Sequence, residues 1–529
     1  MKNTLGRDIP EAFLTGDEEN HGGIAGKQRK EVYRGVHYRD QFVCKKDAPK
    51  IRTQGKGGES KVCGSIREAI IKSGLKDGMT ISFHHHFREG DYVCNLVMTE
   101  IQKLGIKDLF VCASSVGKAQ NILVQCIEDG TVTGLSTSGI RDQIGETVSR
   151  GKLKKPIFIR SHGGRVAAIE SGAVHLDVAF IGASTSDPYG NASGKGGKSN
   201  CGVLSYAVVD SEYADHVVVI TDTLVAAPNL PAAIQGVDVD SVVVVDKIGD
   251  PAKIATGALR LTQDPRELLI AEYAADCVVN TAFFQDGFTF QTGAGGISLA
   301  VTRFLKKHME ERKIQMAWGM GGITEPMVDL MHDGYIRKLL NDQAFDVKSV
   351  ESVYTDPNHY EISASQYANP FNKGAFVNQL DYVILGALEI DVDFNVNVIQ
   401  GSDGLLQGAP GGHSDTAAGA NVTIIVTPLI RSRIASIRDR VTSVTTPGES
   451  VDIVVTEYGI AVNPARSDLI ESLRETGLPL KTIEQLRDEA YQIVGRPADI
   501  QFDDQVVAIV EYRDGTIIDV IRKPARFNE

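Results

Sequence analysis

The sequence predicts an α/β protein with two tandem, related domains, mainly parallel sheets and an active-site cleft between the domains. Two distant stretches carry the same pattern. The first runs from Asp77 through a short apolar strand, a polar loop and an apolar-striped helix to a new strand at 109–111. The second repeats this order from Asp286 to 314–318. Each stretch is a βαβ unit. Because ligands of open α/β sheets bind at the carboxyl ends of the strands, two such domains are expected to form a site between them.

The predicted boundaries divide the chain into an amino-terminal arm (1–61), a first α/β domain (62–235) and a second α/β domain (236–529). Lys45 to Lys61 is rich in Lys and Gly, which predicts an irregular, solvated segment. Prolines and a glycine at 228–236 mark the border between the two domains.

Short runs that are apolar on both faces predict the strands, as expected for buried parallel sheets. In the first domain the predicted strands are 79–83, 108–113, 157–160, 177–182, 205–209 and 216–221. In the second domain they are 242–245, 382–390, 396–399, 421–426 and 451–455. Apolar positions at helical spacing predict helices at 265–276, 297–309, 467–475 and 482–493.

Composition excludes several classes of protein. A formal net charge of −13 argues against nucleic acid as the main ligand, because phosphate binding needs a basic surface. No apolar run is long enough to span a membrane, and the charged first twenty residues lack a signal core. The 7 cysteines are scattered and form no Cys-x-x-Cys pair, which indicates reduced thiols in a cytoplasmic protein without a metal site.

Three glycine-rich loops follow predicted strands. They are 293–296, 319–322 and 408–412, the last of which leads into His413. Glycine serves where a backbone must approach a ligand closely. Backbone N–H groups at a strand-to-helix loop can also stabilise an oxyanion. A dinucleotide site is disfavoured because the spacing is not Gly-x-Gly-x-x-Gly. A purely structural role for the turns stays open.

Several charged residues also follow predicted strands. Arg160, His162 and Arg165 form a candidate clamp for a carboxylate, although a solvated surface turn explains them equally well. His84-His85-His86 alternate along a strand direction, so they are poor joint ligands for one metal ion. We expect them, with Arg88, to line the cleft. Glu457 ends a buried strand and is either a structural hydrogen-bond partner or a site residue.

The chain resembles the CoA-transferases in its second half and the citrate lyase α subunits over nearly all of its length. The most specific stretches are 353–357, 385–391, 408–415, and 444–447 followed by 454–461. The resemblance implies two domains of the CoA-transferase type, with the fold called NagB/RpiA-like.

The resemblance also implies an activity. A citrate lyase α subunit exchanges the acetyl group on an acyl-carrier protein for citrate, which gives citryl-carrier and acetate. The implied partners are the β (citryl lyase) subunit and the γ acyl-carrier protein, in a hetero-oligomer. The chain would bind no cofactor of its own and would use the phosphoribosyl-dephospho-CoA arm of the carrier, with free acetyl-CoA as a surrogate.

The sequence departs from the transferases that form a glutamyl thioester. Gly321 stands where those enzymes place their nucleophilic Glu, Leu385 replaces an Asn, and His413 replaces a Gln. Glu325 is the replacement candidate for the nucleophile, but an acidic residue beside Pro326 is also typical of a helix start. We therefore expect direct transfer between two bound substrates through an anhydride, by proximity and oxyanion stabilisation.

The site residues inferred from the sequence and the resemblance fall into two groups. The catalytic group contains candidate oxyanion donors and one carboxylate: Gly293, Gly295, Gly296, Gly411, Gly412 and Glu457. The substrate-binding group is Arg160, His162, Arg165 and His413. Four alternatives stay open: a CoA-transferase acting on free acyl-CoA esters through a glutamyl thioester, a citramalate-specific homologue, a scaffold that only docks a carrier, and a phosphosugar isomerase.

Overall fold

The computed structural model describes residues 1–14, 30–38, 59–255, 261–293 and 295–527. The described helices are α1 Ile66–Ser73, α2 Val93–Leu104, α3 Ile122–Glu128, α4 Asp142–Ser149, α5 His162–Glu170, α6 Ser205–Tyr213, α7 Pro265–Val279, α8 Gly296–Arg312, α9 Glu325–His332, α10 Val347–Thr355, α11 Ala364–Ala368, α12 His413–Gly419, α13 Ser467–Arg474 and α14 Ile483–Val494.

The described strands of the first half are β1 Val62–Cys63, β2 Thr80–Phe83, β3 Leu109–Ala113, β4 Val132–Thr137, β5 Ile157–Ile159, β6 Val178–Gly182, β7 Thr185–Ser186, β8 Ala192–Ser193, β9 His216–Thr221 and β10 Ser241–Val244. Those of the second half are β11 Thr289–Thr292, β12 Trp318–Ile323, β13 Leu339–Ala344, β14 His359–Glu361, β15 Tyr382–Gly386, β16 Glu389–Asp391, β17 Val396–Asn397, β18 Val422–Val426, β19 Ile430–Arg431, β20 Ile434–Ala435, β21 Ile437–Arg438, β22 Ile453–Thr456, β23 Gly459–Val462, β24 Leu480–Lys481, β25 Phe502–Glu511 and β26 Ile517–Pro524.

Two large, mainly parallel sheets organise the chain. The first has the strand order β1-β10-β9-β6-β2-β3-β4-β5-β25-β26, and only its β25–β26 pair is antiparallel. The second has the order β14-β13-β12-β11-β15-β18-β22-β23-β24, with β22–β23 antiparallel. The mixed α/β class with mainly parallel sheets is therefore confirmed. The two predicted βαβ units are present as β2–α2–β3 and β11–α8–β12, each with its two strands paired in parallel.

The strands of the second sheet are buried on both faces, and their side chains alternate between two apolar cores. Tyr382 and Ile384 face a core that includes helices α7 and α8. Val383 and Leu385 face the opposite core, which includes residues of α11, α12 and α14. This alternation follows from the two-residue period of a strand. It produces helical layers on both sides of one sheet.

The structure corrects two secondary-structure predictions. The predicted strand 382–390 is divided into β15 and β16, which belong to different sheets. The predicted strand at 205–209 is wrong, because these residues begin helix α6. Most of this helix is buried, including Tyr206, Ala207 and Val209. A short apolar run is compatible with either a buried strand or a buried helix, and periodicity alone does not separate the two.

Two segments that lie beyond residue 235 belong to the first sheet. The boundary at residue 235 assigns β10 and the β25–β26 hairpin to the second domain, but both pair within the first sheet. In particular, β25 pairs in parallel with β5. Local sequence pattern identifies a strand, whereas its neighbours in a sheet are set by contacts that are distant along the chain.

The described part of the amino-terminal arm packs on this hairpin. Val32 forms a β-bridge with Ile517, and Arg7 pairs with Asp519. Tyr33 is buried, with its ring edge-on to Tyr512. The predicted irregular segment from Lys45 lies almost wholly outside the described residues. Within the described ranges, no helix combines the length and apolar character that crossing a membrane requires.

Candidate functional site

A cavity of about 440 Å³ lies between the carboxyl ends of the two sheets. The first sheet contributes the loops that follow β2, β3 and β4, together with His162 of α5 and Tyr206 of α6. The second sheet contributes the ends of β11, β12, β13 and β15 and the loop before α12. The predicted location of the site, between two sets of strand ends, is where the structure places this cavity.

The cavity brings together five of the residues predicted for the site, which are Gly293, Gly411, Gly412, His162 and His413. The backbone N–H of Gly293 donates to the carbonyl of Ile384 at 2.7 Å, and that of Gly411 donates to the carbonyl of Ser138 at 3.0 Å. Both N–H groups are therefore committed to the fold. Gly295 and Gly296 cap α8 and do not line the cavity. Gly412 caps α12 and lines the cavity.

His413 is a neutral hydrogen-bonding residue. Its Nε2 lies 3.0 Å from the carbonyl oxygen of Gly386, and its Nδ1 lies 2.7 Å from the hydroxyl of Thr446. A carbonyl only accepts, so Nε2 carries the proton and Nδ1 accepts from Thr446. Burial lowers the pKa of His413 to about 4. His413 therefore fixes the Gly-rich loop against the end of β15.

The ring of His85 stacks on that of Tyr206 with centroids 5.0 Å apart, and the ring of His162 is tilted against Tyr206 with centroids 4.6 Å apart. Burial lowers the pKa of His162 to about 3, with a second contribution from Arg165. The Nδ1 of His162 has no hydrogen-bond partner among the described residues. This nitrogen is buried, so the ring of His162 lines the cavity as a neutral group.

The three adjacent histidines have different surroundings. His84 contacts Asp210 through Nε2 at 2.9 Å, and the Nδ1 of His85 contacts the hydroxyl of Ser114 at 2.5 Å. The ring of His86 stacks on that of His84. Of the three, only His85 lines the cavity, together with Arg88.

The structure does not place Arg160 and Arg165 at the cavity. Both are buried, with about 1% and 2% of their surface exposed. Arg160 donates to both carboxylate oxygens of Glu511, and Arg165 does the same to Asp210. Their guanidinium groups are therefore used in structural ion pairs, which corrects the predicted clamp for a carboxylate ligand.

The two candidate glutamates also lie away from the cavity. The carboxylate of Glu457 accepts a hydrogen bond from the backbone N–H of Leu429 at 2.8 Å. Of the two roles left open for Glu457, this contact is that of a structural hydrogen-bond partner. Glu325 begins α9, is largely exposed, and pairs with Lys348 at 3.3 Å. Neither residue is among those lining the cavity.

Gly321 adopts a conformation that disfavours a side chain. Its φ is +93°, and a Cβ built on it would lie 2.8 Å from the side-chain Cδ of Gln291. Gln291 lines the cavity and donates from Nε2 to the hydroxyl of Tyr367 at 2.9 Å. The space in which a nucleophile at Gly321 would begin is therefore filled by this amide.

Four cations lie around the cavity and were not predicted as ligand-binding residues. Arg88 lies on the wall with its guanidinium 4.4 Å from the ring centroid of Phe345. Burial, and then the neighbouring Arg141, lower the pKa of Arg88 to about 10, so it stays cationic at neutral pH. Lys118, Arg141 and Arg431 are exposed and also line the site. Arg88, Lys118 and Arg141 lie in the loops after β2, β3 and β4, whereas Arg431 belongs to β19.

Comparisons with known proteins agree with one another. The family described as "Citrate lyase, alpha subunit (CitF)" matches residues 59–524. The citrate lyase alpha chain of Klebsiella pneumoniae is 51% identical over 90% of this chain and 94% of its own length. A Streptococcus mutans protein described as a citrate lyase α subunit, solved in complex with citrate, superposes with a TM-score of 0.94. It is 48% identical and covers 99% of this chain and 100% of its own.

A more distant structure shows the fold alone. The α subunit of a malonate decarboxylase from Acinetobacter baumannii has a TM-score of 0.62 and is 14% identical. The match covers 83% of this chain and 91% of that one. At this identity the shared architecture carries no conclusion about the substrate.

Proposed function

The chain belongs to the family of citrate lyase α subunits, and from that premise we propose that it exchanges an acetyl thioester for a citryl thioester. The acetyl donor is the thioester of an acyl-carrier protein, and the products are citryl-carrier and acetate. The observation that carries the proposal is the cavity between the two sheets. It combines a glycine-rich loop with a ring of cations in a chain whose net charge is −13.

The cations match the charge of citrate. Burial lowers the pKa of Arg88, and Arg141 lies close enough to lower it further by charge repulsion. An anion bound between them relieves this repulsion. An arginine also pairs bidentately with a carboxylate. We therefore assign carboxylate binding to Arg88 and Arg141 in place of Arg160 and Arg165.

The transfer needs no enzyme nucleophile. A carboxylate oxygen of citrate adds to the acetyl carbonyl carbon, and the C–S bond breaks to release the carrier thiolate. The product is a mixed anhydride of citrate and acetate. The thiolate then adds to the citryl carbonyl carbon, and the C–O bond breaks to release acetate. Charge and protons balance without an external acid or base, so the site acts by holding the two reactants together.

Oxyanion stabilisation falls to groups at the carboxyl ends of the second sheet. The N–H of Gly412, at the start of α12, is the predicted donor that the fold leaves best placed for this role. The amide of Gln291 lies on the same wall. One preorganised donor typically contributes about 10²–10³ in rate. The buried, neutral His413 holds the loop that carries Gly412 in position.

The partners follow from the same proposal. A β subunit would cleave the citryl thioester, and a γ acyl-carrier protein would bring the thiol on its phosphoribosyl-dephospho-CoA arm, in a hetero-oligomer in the cytoplasm. This chain would then supply no cofactor of its own. Lys118 and Arg431 at the cavity mouth are suited to the phosphates of that arm.

An assay of the full chain tests the proposal directly. Citrate and citramalate are supplied side by side with acetyl-CoA or with the acetylated carrier, and acetate and the new thioester are measured. We expect citryl thioester only when both substrates are present together. Activity with citramalate but not with citrate would change the assigned substrate. The absence of transfer to both acids would overturn the proposal.

A trapping experiment separates the direct mechanism from the covalent alternative. The acetyl-loaded enzyme is treated with hydroxylamine or borohydride and mapped by mass spectrometry. We expect no modified glutamate. A label on Glu325 or Glu457, together with ping-pong kinetics, would favour the glutamyl thioester.

A further inference from the structure

Asp342 is a carboxyl group on the cavity wall that the direct transfer does not use. It belongs to β13 and is about 3% exposed. Neighbouring Gln343 also lines the cavity, and its Nε2 donates to the carbonyl of His85 at 3.2 Å. Two consecutive residues of a regular strand face opposite sides of a sheet. Something must therefore turn Asp342 towards the site.

A β-bulge provides this turn. Gly321 pairs with Asn341 and Gly322 pairs with Gln343, so Asp342 is the additional residue between two ladder positions. Bulges redirect side chains and are common beside active sites. The bulge lies opposite Gly321 and Gly322, at the position where related transferases carry a nucleophile. The backbone irregularity thus brings a different carboxyl group into the same cavity.

The surroundings of Asp342 favour its uncharged form. Tyr206 of α6 donates its hydroxyl to Oδ2 at 3.2 Å. The other titratable groups facing Asp342 are Tyr367 of α11 and Asp415 of α12. Burial, opposed by the hydrogen bond from Tyr206, raises the pKa of Asp342 to about 7. The carboxylate of Asp415 adds to this increase.

We propose that Asp342 binds citrate by keeping its proton and donating a hydrogen bond to an anionic oxygen of the substrate. The inference rests on the proposed function, since it describes how the same cavity receives a tricarboxylate. A protonated carboxyl has one O–H donor. An ionised Asp342 would instead repel the substrate. Citrate binding and proton binding are therefore linked.

The linkage has a definite sign. Well below pH 7, Asp342 is already protonated, and its carboxyl group takes up no proton when citrate binds. Above that pH, free Asp342 is ionised and must take up a proton when citrate binds. Citrate affinity then falls by up to about tenfold for each pH unit. Proton uptake approaches about one per citrate at about pH 8.

Calorimetry of citrate binding to the full chain tests this linkage. Titrations in buffers of different ionisation enthalpy, from about pH 6 to about pH 9, report the number of protons taken up. We expect uptake to rise from near zero to about one across this range. Absence of uptake by the wild-type chain, despite citrate binding, would overturn the proposal without relying on any variant.

Two substitutions identify the residue. Asp342→Asn keeps a donor, so we expect citrate binding within a few-fold at about pH 6 and no proton uptake at any pH. Asp342→Leu removes the donor, and we expect binding at least about tenfold weaker. The exposed Asp504→Asn is the matched control and should behave as the wild type. Undiminished proton uptake in Asp342→Asn would contradict the assignment.

Failure of this inference is distinct from failure of the proposed function. If the wild-type chain transfers acetyl groups to citrate and takes up no proton on binding, only the role of Asp342 is wrong. If the chain neither binds citrate nor forms a citryl thioester, the proposed function fails first.

Discussion

The side-chain amide of Gln291 fills the space beside Gly321, so that a Cβ added at Gly321 would lie 2.8 Å from its Cδ. The backbone of Gly321 has φ +93°. Restoring a glutamate at this position is therefore opposed by both the neighbouring side chain and the backbone. Strand β11, which carries Gln291, and strand β12, which carries Gly321, thus both disfavour a nucleophilic side chain at this position.

We expect Gly321→Glu to reduce stability without creating a covalent enzyme. A positive φ at a non-glycine residue costs about 1–3 kcal/mol, and displacement of Gln291 breaks its bond to Tyr367. Denaturant unfolding measures the loss, and hydroxylamine trapping reports any glutamyl thioester. Gly374→Glu is the matched control, since Gly374 is exposed and a Cβ there meets only Asn372 at 3.5 Å. A trapped thioester in Gly321→Glu would contradict the steric argument.

Because His413 is neutral in the folded protein, we expect the folded protein to lose stability in acid. Its folded pKa of about 4 lies below the unfolded value of about 6.5. The stabilisation is therefore complete above about pH 6.5 and is lost as the pH falls towards 4. Unfolding measured across this range should show a shallower dependence for His413→Gln than for the wild type. An unchanged dependence would mean that His413 is not the group responsible.

Arg160 should matter for stability and not for citrate recognition. Removal of one partner from a buried ion pair costs about 3–5 kcal/mol, so Glu511→Gln and Arg160→Met are both expected to destabilise the fold. The KM for citrate of the folded enzyme should change by less than about twofold, because Arg160 does not line the cavity. The double variant Arg160→Met/Glu511→Leu should recover part of the loss. A large rise in KM alone would support the original carboxylate clamp.

The cations at the cavity mouth should attract the phosphates of the thioester substrate through their positive charge. We expect Lys118→Gln to raise the KM for acetyl-CoA by roughly fivefold at low ionic strength and less at high salt. Steady-state kinetics across a salt series measures both effects. Lys307→Gln, on an exposed face of α8, is the control for a general change in net charge. An effect of equal size at all salt concentrations would indicate a direct contact instead of a field.

Local pattern was sufficient for most elements of the fold. The predicted helix at 482–493 is α14, which starts at a capping box formed by Thr482 and Gln485. The predicted strand at 216–221 is β9 with the same limits. Such signals depend on neighbours within a few residues. The position of β25 beside β5 depends on residues far apart in the chain, and no local signal specifies it.

The same contrast between local and long-range signals explains which site residues could be predicted from the sequence. His162, Gly412 and His413 were predicted as site residues from their positions after strands. They line the cavity because the strand ends meet there. It did not reveal that Arg160 is paired with Glu511, since that carboxylate is far away in sequence. Asp342 was not predicted as a site residue, for a different reason. Its orientation results from one additional residue in a strand, which the apolar pattern does not report.

The pairing of β5 with β25 constrains the order of events during synthesis. When β5 leaves the ribosome, its outer edge has no neighbour, and the chain must grow by several hundred residues before β25 is available. At about 5–20 residues per second, that interval is roughly 15–70 seconds. During this time Arg160 also lacks Glu511. An unpaired strand edge promotes association with other chains, so a nascent chain of this protein is exposed to misassembly until its last hairpin closes the first sheet.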